Sequence, residues 1–156
     1  MRETYRHGHT QGNARGRAGG CFRRTVHSRV PSTIGEWDPS SSALVTLLAQ
    51  TARGPGREGV FALWLTVRIA QDLLLDPPLP ERAHRRRVAA LEQRLTSLTM
   101  PPPLRRALHS AIAQLREADA AAMPVILSQL VAPARDTLGA EAAEAVAVAV
   151  KRARGR

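Results

Sequence analysis

The chain has 156 residues, with 23 basic against 13 acidic and a single cysteine. That length suffices for one domain with a real core, and one cysteine excludes an intrachain disulfide. The longest apolar stretch, residues 59–75, is interrupted by Arg68, Gln71 and Asp72. It is shorter than the roughly 20 apolar residues a membrane span needs. Residues 1–20 are polar and glycine-rich, without a secretory apolar region. The expectation is a soluble cytoplasmic protein with no membrane span. Only Lys151 is a lysine; the other 22 bases are arginines. Arginine makes bidentate contacts with phosphate, but a GC-rich genome also favours Arg, Ala, Gly and Pro codons, so arginine identity alone does not decide for binding.

Residues 1–37 hold six glycines, seven arginines and three of the five histidines. Their apolar residues follow no consistent period, so this segment is expected to be a disordered Arg/Gly-rich basic tail of charge +5. "NARGRAGG" at 13–20 loosely resembles Arg-Gly segments that associate with single-stranded nucleic acid. His7 with His9 would make a two-ligand metal site, and Cys21 with His27 a nucleophile–base pair. Neither has the third group its chemistry needs.

From Asp38 the pattern becomes helical, and residues 38–154 form the expected helical domain. Helix 1, about 40–53, opens on Pro39 and closes at Gly54, with Leu44, Leu47, Leu48 and Thr51 on one face. Helix 2, about 58–75, ends before Pro77. Helix 3, about 80–98, carries the stripe Val88, Leu91, Leu95 and Leu98. "MPPP" forces a stop. Helix 4, about 103–120, aligns Leu104, Leu108, Ala111, Ile112 and Leu115. Helix 5 starts at Pro124, and Pro133 must kink or split it. Helix 6, about 140–153, places Glu141 and Glu144 at its start and Lys151, Arg152 and Arg154 at its end, which suits the helix dipole. No strand alternation is present. The predicted fold class is all-α, a single antiparallel bundle of about six helices.

Two places on this framework carry candidate function. In "ERAHRRRVAALEQRL", residues 81–95, a helical wheel points Arg82 and Arg86 away from the core. It pairs Arg85 with Glu81, lays Arg87 and Arg94 along the flanks, and sets His84 at the core edge. With Arg105 and Arg106 after the proline turn, Arg82 and Arg86 are the candidate nucleic-acid-binding residues. Their contacts would go to phosphates, because the stiff "TMPPP" linker is a poor helix-turn-helix turn and no aromatic platform accompanies them. On helix 2, Phe61, Trp64, Arg68 and Leu75 fall along one line, and Trp and Arg are enriched at interface hot spots. Trp64 and Arg68 stand four apart, within reach of a cation–π contact. The same helix is apolar nearly all round, the pattern of a buried central helix.

No catalytic constellation, phosphate-cradling glycine loop, cofactor motif or metal-ligand spacing emerges. The leading expectation is therefore a non-enzymatic protein–protein interaction module that needs no cofactor, with self-association as one form. The alternative is a backbone-directed, sequence-nonspecific nucleic-acid-binding protein. A small enzyme with a diffuse site ranks third.

Overall fold

A computed structural model describes residues 38–155. The expected basic tail at 1–37, with its His7–His9 and Cys21–His27 pairings, lies outside the described residues. The described chain is all helical, with no strand: α1 (Pro39–Gln50), α2 (Pro55–Gln71), a 3₁₀ turn (Asp72–Leu74), α3 (Glu81–Thr96), α4 (Pro102–Leu115), α5 (Met123–Ser128), α6 (Val131–Leu138) and α7 (Ala140–Arg154). None of these helices is long and apolar enough to cross a membrane.

Proline and glycine set most of the boundaries. Proline occupies the first or second position of α1, α2, α4 and α5, where its missing N–H has no intrahelical partner to lose. Gly54 and Gly139 join helices at φ values of 140° and 103°, where a side chain would be strained. The predicted fifth helix is two helices. Pro133 cannot donate to the Gln129 carbonyl and its ring crowds that position, so the chain breaks at 129–130 and restarts as α6. Other predicted boundaries also move: the first helix ends at Gln50 rather than near 53, and α2 ends at Gln71 rather than near 75. α2 starts at Pro55 rather than 58. α4 stops at Leu115 rather than near 120. Past that point the Asp119 carboxylate accepts the Ala122 N–H at 2.9 Å, a local side-chain bond that competes with helical pairing.

The core is aliphatic. Leu44, Leu63, Leu95, Leu104, Leu108, Ile112, Leu115, Leu127 and Leu130 are fully buried. α2 packs against every other helix, as its nearly continuous apolar surface predicts. It buries Val60, Ala62, Leu63, Thr66, Val67, Ile69 and Ala70. Gly59 permits part of this packing: a Cβ there would stand 3.0 Å from methyl carbons of both Leu104 and Leu138. α7 instead presents small residues, burying Ala142, Ala143, Ala145, Val146, Ala149, Val150 and Ala153 against α1, α5 and α6.

Two polar ties fix the helices in register. Asp38 accepts from Ser40, Gln71 and Arg152, and Ser41 donates to Gln71 at 3.2 Å, joining the start of α1 to the ends of α2 and α7. Between α3 and α4, His84 Nε2 donates to the Leu115 carbonyl at 2.8 Å. At the other end, Arg105 donates to the carbonyls of Leu95 (3.1 Å) and Leu98. The start of α3 thus lies against the end of α4, and its last turn against the start of α4.

Candidate functional site

The two aromatic side chains of the described residues lie together on α2. Phe61 and Trp64 are half-buried, with ring centroids 6.0 Å apart and planes tilted by 33°. They sit at the rim of a core built from aliphatic side chains and the methionines Met100 and Met123, and Trp64 packs against that core. Spacing in the α-helix explains the pairing, since residues three apart share a face. α3 adds a cation: the Arg94 guanidinium carbon stands 5.6 Å from the centre of the Phe61 ring. Helical spacing sets Arg68 one turn from Trp64; the reach of Arg94, from the neighbouring helix, to Phe61 is not legible in the sequence. The Trp64 indole N–H is buried and has no hydrogen-bond acceptor among the described residues. Arg68 is exposed on the same helix. Leu75, expected on the α2 line, lies past the 3₁₀ turn, where the chain has left the helix, and is 47% exposed.

Next to this seam, the end of α2 and the start of α3 hold a half-hidden polar group. Asp72 Oδ2 lies 2.9 Å from Arg87 Nε, an ion pair with the carboxylate far less exposed than its partner. The approach is not aligned for a hydrogen bond, and Oδ2 makes none among the described residues. Burial pushes the Asp72 carboxyl above the usual aspartate value, against the pull of Arg87, His84 and Arg68. His84 is 6% exposed, as a core-edge histidine should be. The Leu115 carbonyl can only accept, so Nε2 carries the proton, and in the neutral ring Nδ1 is a buried acceptor with no donor among the described residues. The imidazole is held in place by its bond to backbone.

The candidate phosphate-binding arginines do not form one site. Arg82 and Arg86 are exposed and line the same shallow surface concavity, with Glu81, Arg85 and Ala89. Arg105 is engaged elsewhere, capping the carbonyls that end α3. Two of its five N–H donors are thereby committed to backbone, so it is less available to phosphate than Arg82 or Arg86. Arg106 is exposed one residue later, at the far end of α3 from Arg82. The remaining arginines of α3 have structural partners. Arg85 bridges Glu81 (2.7 Å) and Glu117 (2.9 Å), Arg87 meets Asp72, and Arg94 covers Phe61.

Among the described residues, no group of three or more His, Cys, Asp or Glu is placed to hold a metal ion. Comparison with protein-family models, curated proteins and solved structures gives no match to this chain.

Proposed function

We propose that the helical domain, a single antiparallel bundle, is a cytoplasmic non-enzymatic interaction module that self-associates through the α2–α3 seam. Phe61 and Trp64 form its centre, and Arg68 and Leu75 its edge. One observation carries this reading: both aromatics of the described chain stand half-buried at a rim, with a guanidinium over Phe61, while the fully buried core of the described residues holds no aromatic ring. Aromatic and arginine side chains concentrate binding energy at interfaces because they bury large area with little conformational loss. A second copy is the occupant the chemistry favours. A face that presents aromatic rings beside guanidinium groups complements itself across a two-fold axis.

Light scattering after size exclusion tests this over a range of concentrations. The parent chain is expected as a dimer, and Trp64→Ala as a folded monomer. A hot-spot loss of about 2 kcal/mol or more corresponds to at least roughly 30-fold in Kd. Because Trp64 also packs on the core, Arg68→Glu supplies a second variant that leaves the core intact and should weaken the dimer by placing a carboxylate against the aromatic faces. A parent that stays monomeric at high concentration removes the interface.

A further inference from the structure

We infer that the ridge formed by Arg82 and Arg86 on α3 is a second binding surface, one that takes the phosphate backbone of a nucleic acid. The first observation is where the charge lies. Residues 81–106 hold seven arginines against two glutamates, whereas the rest of the described chain holds eight bases against nine acids. The second is what those arginines do. Arg85, Arg87, Arg94 and Arg105 have carboxylates, a ring or carbonyls to engage. Arg82 and Arg86 have none of these among the described residues. They stand one helical turn apart on one face of α3 and line a common, open concavity.

Their placement opposes folding electrostatics. Arg82 lies in the first turn of α3, where the aligned peptide dipoles repel a cation, and it also repels Arg86. An anion bound across the pair removes both penalties. Its chemistry follows from the donors. Two planar guanidinium forks, with no N–H engaged among the described residues, match the paired oxygens of phosphate. An open concavity suits a continuous backbone better than an enclosed small anion. The aromatics lie on α2, so this face offers no platform for stacking bases. Binding is therefore backbone-directed, salt-dependent and nearly indifferent to sequence.

The test is fluorescence anisotropy of the full chain with a labelled mixed-sequence DNA duplex, repeated across a salt series. Arg82→Glu/Arg86→Glu is compared with Arg53→Glu/Arg135→Glu, which changes net charge equally at exposed arginines away from the ridge. Residues 1–37 are identical in both variants and contribute equally. The ridge variant should lose roughly tenfold or more in affinity at 0.1 M salt, and its log–log salt slope should shrink by about 1.8, near 0.9 for each lost phosphate. The control should lose less than half of either. The neutral Arg82→Gln/Arg86→Gln variant should show the same loss of slope. Equal losses in ridge and control variants would mean that net charge alone attracts the duplex, and would overturn the assignment. So would absence of binding at low salt, or competition by polyglutamate as effective as that by unlabelled duplex at matched charge.

Discussion

Helix α7 begins with Glu141 and Glu144 and ends with Lys151, Arg152 and Arg154, whereas α3 crowds Arg82, Arg85, Arg86 and Arg87 into its first two turns. The two helices are nearly equal in length, at 15 and 16 residues, so the contrast is one of design rather than size. α7 places each charge where its own dipole welcomes it. α3 places charge against the dipole and then neutralises part of it from outside, through Glu117 of the α4 end and Asp72 of the 3₁₀ turn. Their inner faces differ too. α7 buries alanines and valines and sits close to three neighbours, while α3 buries the larger Val88, Leu91 and Leu95 beside His84. A helix arranged for stability and a helix arranged for its outer surface thus occur in one domain, and substitutions should separate them.

The largest effect should come from the inner faces. Leu95→Ala should cost about 2–5 kcal/mol in urea unfolding, because the fully buried side chain leaves a cavity. Ala149→Leu should destabilise by about 1–3 kcal/mol for the opposite reason, overfilling a close helix contact. If Ala149→Leu were neutral, the tight packing ascribed to α7 would be wrong. Smaller and more diagnostic is a pair of charge reversals. Arg82→Glu should stabilise the fold by about 0.3–1 kcal/mol at low salt, while Lys151→Glu should destabilise it by a similar amount. The same kind of substitution then has opposite signs in the two helices, and salt should shrink both. Two changes of the same sign would break the comparison. A more stable Arg82→Glu that has also lost duplex affinity would sharpen it, by showing that the ridge is kept at the expense of stability.

The smallest effect concerns pH. Folding raises the Asp72 carboxyl above its unfolded value, so the native state holds that proton more tightly. The contribution favours the fold below the ordinary aspartate range, near about pH 4, and is lost as pH rises through the folded value. Asp72→Asn removes this titration. The stability of the variant relative to the parent should therefore climb as pH rises from acid toward neutral. A flat or falling difference would mean that the Arg87 pair outweighs burial, and that α3 compensates its cations more completely than the contrast with α7 implies.

Much of this framework could be read along the chain, because it is local. The prolines at 39, 102 and 124 and Gly139 mark helix ends by their own stereochemistry, and Pro133 marks the break at 129–130, whereas Gly54 and Pro55, which read as the close of one helix and a gap, open α2 instead. Helical spacing placed Arg85 beside Glu81 and His84 at the core edge. What could not be read depends on residues far apart. Glu117 joins Arg85 across 32 positions. Arg94 reaches Phe61 only because α3 lies along α2. Arg105 looked like surface charge, since nothing in its own helix reveals that the proline turn aims it at the carbonyls of Leu95 and Leu98. The alignment of Leu75 with the α2 line does not hold for a local reason of a different kind: a helical wheel assumes that the helix continues, and here it tightens to 3₁₀ at Asp72.

The tie at Asp38 has a topological consequence. Asp38 and Arg152 are 114 positions apart yet hydrogen-bonded, so the helical domain starts and finishes at the same place in space. A domain whose ends adjoin can have its chain order rewritten. A short Gly/Ser bridge from the end of α7 to the start of α1 would close the ring. The exposed residues 75–78 between the 3₁₀ turn and α3, which lie outside every helix, are a natural point at which to reopen it. Such a permutant would make α3 the first helix and place its arginine-rich opening turns next to a free amino terminus, with the packing of every helix retained.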